Sequence, residues 1–159
     1  MQFKVGDKVV YPMHGAGIIE AIEEREVLGQ RQQYYIMKLP MGDMQVMIPL
    51  RSVEEVGLRE VISPEEVNRV FEVLRGEKTK MSQNWNRRYR ANLEKIKSGD
   101  IFEVAEVVRN LSIRDKEKGL STGERRMLES ARQILISELV LAQGIPADEV
   151  ERRIDAILG

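Results

Sequence analysis

Apolar residues along this chain change their spacing at Ser63, and that change limits the fold more than any other feature. Before Ser63 they come in short runs broken by glycine, proline and polar turns, which is the pattern of β-strands. After it they recur at i, i+3, i+4 and i+7, the pattern of amphipathic helices. A chain of 159 residues that switches once and does not switch back falls in the α+β class. Its length allows one or two small domains.

The first sixty residues predict β structure. "DKVVYP" is a short strand, "MHGAG" a turn, and "IIEAIEER" a second strand with apolar side chains at Ile18, Ile19, Ala21 and Ile22. Gly29 marks a hairpin, "RQQYYIMKLP" is a third strand closed by Pro40, "MGDM" is a turn, and "QVMIP" is a fourth strand ending at Pro49. Four or five short strands joined by tight turns predict a small Tudor- or SH3-like β-barrel over residues 1–60. Such modules usually bind peptides or proteins, and the fold alone does not name the partner.

Residues 61–159 predict a compact domain of five helices, joined to the barrel near residues 57–63. Ser63, Pro64 and Glu66 form a capping box with proline at the first helical position. Val67, Val70, Phe71 and Leu74 follow as one buried stripe, and Gly76 ends the helix. Ser82 or Asn84 starts the next helix. Asp100 with Glu103, and Ser121 with Glu124, repeat the capping signal. Their helices bury Val104, Val107, Val108 and Leu111 in one case, and Leu128, Ala131, Ile134, Leu135 and Leu139 in the other. Gly144-Ile145-Pro146 precedes a last helix carrying Val150, Ile154 and Ile157.

Composition excludes several functions. The chain has no cysteine, so it has no disulfide, thiolate metal site or cysteine nucleophile. Its one histidine, His14, lies in the glycine-rich turn, where a structural role is far commoner than catalysis. "HGAG" lacks the length and the following lysine of a phosphate loop. The expectation is a protein without enzymatic activity, cofactor, metal or small-molecule substrate. The N-terminus has no apolar signal-peptide core, and no run approaches the ~20 apolar residues of a membrane span, which predicts a cytoplasmic protein. Met37, Met41, Met44 and Met47 suit either core filling or a soft contact surface. Tyr11, Tyr34 and Tyr35 leave a methyl-lysine cage possible.

Charge is balanced overall, at −1, but not locally. Residues 75–97 hold eight basic groups against two acidic ones, between two mildly acidic regions. Within that segment "NWNRRYR" sets the only tryptophan, Trp85, beside Arg87, Arg88 and Arg90. Trp85, Tyr89, Leu93 and Ile96 share one helical face, so Trp85 can simply extend a buried stripe. It also stands in the first turn, where little core is available to cover it. An aromatic ring near guanidinium groups suits stacking on bases and pairing with phosphates. Both readings fit the residues.

A resemblance bears on the choice. "FKVGDKVVYPMHGAGIIEAIE", "VGLREV", "NWNRRYRANLEKIKSGD" and "EVAEVVRNL…RDKEKGLSTGERRMLESARQIL", in that order, resemble the CarD/CdnL family of bacterial transcription regulators across nearly the whole chain. The resemblance implies that the barrel binds the RNA polymerase β subunit, like the similar module of the transcription-repair coupling factor. It implies that the helical domain lies on promoter DNA at the upstream edge of the melted bubble and slows bubble collapse, so the protein would be nucleoid-associated through polymerase. By resemblance, Trp85 is the minor-groove wedge, and Arg87, Arg88 and Arg90 hold the adjacent backbone. Arg25 matches a polymerase-contacting arginine of some members, while a second basic contact falls at Met47. "QVMIP", with Met47, Ile48 and Pro49, would then dock by strand-edge pairing and apolar contact. The competing expectation is a Tudor-like adaptor with no DNA contact and with Trp85 buried.

Overall fold

The computed structural model of the protein describes residues 2–40 and 44–159. The turn expected at "MGDM" and the expected role of Met41 therefore fall largely outside the described residues. Five antiparallel strands form one sheet: β1 (Lys8–Tyr11), β2 (Gly15–Val27), β3 (Gln30–Lys38), β4 (Gln45–Pro49) and β5 (Arg59–Glu60). Their order is β4-β3-β2-β1-β5, so β4 lies at one edge and β5 at the other.

The uneven apolar spacing in β2 has a local cause. Ile19 pairs with Met37 but Ala21 pairs with Ile36, which leaves Glu20 as an extra residue in a β-bulge. The bulge shifts the alternation by one, so Ile19 and Ile22 both turn toward the inner cluster of Val9, Tyr35, Met37 and Ile48. At the hairpin tip Leu28 and Gly29 both have positive φ, 53° and 78°, as the tight turn between Val27 and Gln30 requires.

"MHGAG" is not the turn that its composition predicts. The chain reverses at Tyr11–His14, where the His14 N–H donates to the Tyr11 carbonyl at 2.9 Å, and Gly15 already pairs with Tyr11 in the sheet. The small residues serve close approach instead. A Cβ on Gly15, whose φ is +106°, would lie 2.8 Å from Ser137 Oγ. The neighbouring Ala16 N–H donates to that hydroxyl at 2.9 Å.

A 3-10 turn (Leu50–Ser52) and a short helix α1 (Val53–Val56) connect β4 to β5. The five expected helices follow: α2 (Pro64–Arg75), α3 (Trp85–Lys97), α4 (Ile101–Lys118), α5 (Thr122–Gln143) and α6 (Ala147–Leu158). The chain is thus α+β. Ser63 and Glu66 make the reciprocal capping box, and Asn84 starts α3 by accepting from the Arg87 N–H at 3.1 Å. Two expected boxes are single caps. Asp100 accepts from the Phe102 N–H, while its own N–H goes to Ser98 Oγ. Ser121 accepts from the Glu124 N–H, but the Glu124 carboxylate turns inward to another partner. The α2 and α4 stripes are buried as their spacing predicts. In α5 Met127 is buried and Leu128 only half-buried.

Helix α5 joins the two halves. Besides Ser137, it supplies Glu138, which is fully buried and accepts from Arg59 Nη1 and Nη2 of β5 at 2.8 and 2.7 Å. Glu138 also accepts from the Ile62 N–H at 2.8 Å, and Arg59 Nε donates to the Gly99 carbonyl at 2.9 Å. Lys8 of β1 reaches the Leu141 carbonyl at 3.2 Å. Removing one member of a buried ion pair leaves the other charge uncompensated. Arg59→Ala should therefore destabilise the protein by about 3 kcal/mol. Replacing both residues, as Arg59→Met with Glu138→Leu, should recover most of that loss in chemical denaturation.

Candidate nucleic-acid interface

Burial along α3 runs in a gradient. Ile96 is 4% exposed, Leu93 and Tyr89 are half-buried, and Trp85 is 41% exposed. All four lie near one helical face, but Trp85 is the first residue of α3 and overhangs the end of the packed region. The ring stacks on Tyr89, with centroids 4.9 Å apart and planes 17° from parallel. Its Nε1–H donates to Ser121 Oγ at 2.9 Å. The burial of Trp85 expected with the adaptor reading is not found.

The inward positions of the first two turns are polar. Arg88, expected to hold the DNA backbone, is 4% exposed, and its charge faces Glu124, itself 2% exposed. Arg88 Nε donates to Glu124 Oε2 at 2.7 Å and Nη2 donates to Oε1 at 3.1 Å. Nη1 donates to the Ser82 and Gln83 carbonyls at 3.1 and 3.3 Å. With four of its five N–H donors used in this way and its side chain buried, Arg88 belongs to the interior and is not placed to meet a phosphate. The reason is its helical position: it sits beside Asn92 and Ile96 on the face that packs against α4 and α5, whereas Arg87 and Arg90 lie off that face and are exposed. No single residue in "NWNRRYR" marks this difference. The signal was Glu124, a carboxylate at a capping position that had a second possible use.

Charge in the pair is well matched. The hydrogen bond from Arg88 holds the Glu124 carboxyl below its ordinary range against the opposing effect of burial, and Glu124 in turn raises Arg88. A carboxyl held low in the folded state contributes stability above its unfolded value, about 4, and loses it as pH falls through the native value.

On the sheet, register sorts the other candidate residues. Ala21 pairs with Ile36, and Ile36 with Met47, while Tyr35 pairs with Ile48. Alternation then sets Arg25, Met47 and Pro49 on the outer face and Ile48 on the inner one. Arg25 is about half exposed and bonded to Glu23 at 2.7 Å, and Met47 is 39% exposed. Ile48 is 1% exposed and lies in the inner cluster, so its expected contact with a partner can involve its backbone but not its side chain. Tyr34 and Tyr35 point to opposite faces and both are buried. The Tyr35 hydroxyl is tied to the Phe3 backbone at 3.0 and 2.9 Å. Tyr11 packs on His14, whose Nδ1 lies 3.2 Å from the Pro12 carbonyl. The three tyrosines therefore form no aromatic cage. Among the described residues no group of three acidic or histidine side chains gathers to hold a metal, and no helix is long and apolar enough to cross a membrane.

The pairing of Arg88 with Glu124 has a measurable consequence. Arg88→Met should cost about 3–5 kcal/mol at pH 7 by stranding the Glu124 charge. That cost should shrink as pH falls toward 4, because the unpaired carboxyl can then take up a proton. Arg87→Met and Arg90→Met should each change stability by less than about 0.5 kcal/mol. Urea denaturation of the three variants at both pH values measures all of this.

Comparison with known proteins covers both halves. Residues 3–62 match the model of the CarD-like/TRCF RID domain, and residues 69–155 match that of the CarD C-terminal domain. The chain is 42% identical over 149 residues to a Bacillus subtilis (strain 168) protein described as "Putative transcription factor YdeB"; the match spans 94% of this chain and 97% of that one. Among solved structures, the N-terminal domain of Myxococcus xanthus CarD is 37% identical, with a TM-score of 0.33 over 37% of this chain and 79% of that one. The N-terminal domain of Myxococcus CdnL is 49% identical, with a TM-score of 0.34 over 40% of this chain and 89% of that one. Matched from Phe3 to Asp155 by these two domain models, the chain belongs to the CarD/CdnL family of transcription regulators.

Proposed function

We propose that this regulator stabilises open promoter complexes, with its strand half on the RNA polymerase β subunit and Trp85 on DNA at the upstream edge of the bubble. The observation that carries this reading is the exposed indole at the start of α3, 41% accessible in a domain that otherwise buries its large apolar side chains. An aromatic ring gains most where bases are already unstacked and the minor groove is distorted. Arg87 and Arg90, both exposed, suit phosphate contacts that set position without reading sequence. A net charge of −1 gives the free chain little attraction to DNA, which fits recruitment by polymerase. On the sheet, the edge strand β4 and the outer-face residues Arg25, Met47 and Pro49 favour docking by strand pairing with mixed polar and apolar contact. Action at the nucleoid, in the cytoplasm, follows from this reading.

Three outcomes are expected. Trp85→Ala should shorten the competitor-resistant lifetime of open complexes about five- to a hundredfold, from the 1–3 kcal/mol of one aromatic–base stack. Its thermal midpoint should move little, because a half-exposed ring carries only part of the cost of a core truncation. Trp85→Phe should restore part of the lifetime. Arg87→Gln and Arg90→Gln should each lower the salt dependence of promoter binding by about one, with similar losses on different promoters. Arg25→Glu in the full chain should weaken capture of the β subunit, whereas Trp85→Ala should leave capture intact. A Trp85→Ala protein that melts early and loses every activity together would return the tryptophan to the core.

A further inference from the structure

Trp85 is held by more than its own backbone. Its single donor, Nε1–H, is occupied by Ser121 Oγ at 2.9 Å. Tyr89 covers one face of the ring. Beside the six-membered ring runs the first turn of α5, where a Cβ on Gly123 would come within 3.3 Å of Cζ2 and 3.8 Å of Cη2. Only a residue without a side chain lets the indole lie that close undisturbed. Ser121 is fixed in turn: it accepts from the Glu124 N–H at 3.1 Å, and its hydroxyl lies 3.4 Å from Glu124 Oε1. That carboxylate is the one that holds Arg88. The ring is thus tied, through one serine, to the buried ion pair beneath it.

We infer that Ser121 and Gly123 are positioning residues, which hold the Trp85 ring in its DNA-contacting orientation before DNA arrives. Because Ser121 occupies the only donor of the indole, the ring meets DNA by its face and has no hydrogen bond with which to select a base. The inference rests on the proposed role of Trp85 at the bubble edge. A tethered ring has lost its rotamer freedom at the folding step, so none remains to be lost on contact; an untethered one would lose it on each encounter. Face contact without an edge contact is sequence-tolerant, since every base has a π-face.

The test separates tethering from helix capping and from the role of Trp85 itself. Glycine is nearly as good as serine at a helix N-cap but accepts no side-chain hydrogen bond, so Ser121→Gly removes the tether at little cost to α5. In the full-length protein, on preformed polymerase–promoter complexes challenged with competitor, Ser121→Gly should shorten complex lifetime about two- to tenfold, the value of one hydrogen bond. The emission and anisotropy of the single tryptophan should report a freer, more hydrated ring. In a Trp85→Phe background, which has no N–H to tether, Ser121→Gly should shorten lifetime no further. Gly123→Ala should also shorten lifetime, by displacing the ring, while its thermal midpoint holds or rises because alanine favours helix. The lifetime gained from the unaltered protein should be about equal on promoters that differ only in the base pair at the upstream edge.

Failure is equally distinct. If Trp85→Ala itself leaves lifetime unchanged, the proposed function of the ring is wrong. If Trp85→Ala shortens lifetime but Ser121→Gly does not, the tether is refuted and Ser121 only caps α5. The same conclusion follows if Ser121→Gly shortens lifetime as much in the Trp85→Phe background as in the unaltered protein. A lifetime unchanged by Gly123→Ala would remove Gly123 from the positioning role. A gain confined to one base pair would refute contact by the face alone.

Discussion

The ion pair between Arg88 and Glu124 is the interaction on which the Trp85 end of this molecule depends. Charges are costly to bury, and a buried pair is retained without penalty only when its geometry is good and its remaining donors are satisfied. Here two bonds to the carboxylate and two to the carbonyls of the connector before α3 use four of the five guanidinium donors. The pair thereby fixes three segments at once, namely the connector, the first turn of α3 and the first turn of α5. A hydrophobic contact of the same size would hold them together but would not fix their rotation about one another, because apolar packing has no direction. The position of Trp85 is a consequence of that rotation.

Helix α5 repeats this chemistry further along. Glu124 in its first turn takes an arginine from α3, and Glu138 near its C-terminal end takes an arginine from β5. The two carboxylates are 14 residues apart in one uninterrupted helix, which at 1.5 Å per residue is about 21 Å. The sheet is anchored at one end of that span and the aromatic ring at the other. Close approach of the sheet is possible because Gly15 and Ala16 present almost no side chain to Ser137. Two halves that differ in architecture are thus joined mainly through one helix, with Arg59 adding a bond to the Gly99 carbonyl.

Division of labour between the two faces follows from the same arrangement. The edge strand β4 belongs to the sheet that α5 packs against, and Trp85 lies at the N-terminal end of α5. A factor recruited by a protein partner needs little affinity of its own for DNA, and the near-neutral charge agrees with that. In the proposed function such a factor needs its DNA contact in place when recruitment occurs, which a ring supported by Tyr89, Ser121 and Gly123 would provide.

Much of this was legible in the sequence, and for simple reasons. The α+β class, the five helices, their caps at Ser63, Asp100 and Ser121, the start of α3 at Ser82 or Asn84, and the stripes of α2 and α4 all express local rules of period, capping and turn chemistry. The exposure of Trp85 was one of two readings, supported by its place in the first turn of α3. Tertiary structure alone decided which of three neighbouring arginines is interior, because Arg87, Arg88 and Arg90 differ only in angle around a helix whose packed face depends on α4 and α5. It also decided that Ile48 faces inward, since β4 pairs with β3 in the register that sets Ile48 beside Tyr35, and that "GAG" is a strand pressed against a helix and not a turn. Local preference cannot see a partner 36 residues away, as Glu124 is from Arg88, or 121 away, as Ser137 is from Ala16. Those side chains were written in the sequence, but only folding brought them into contact.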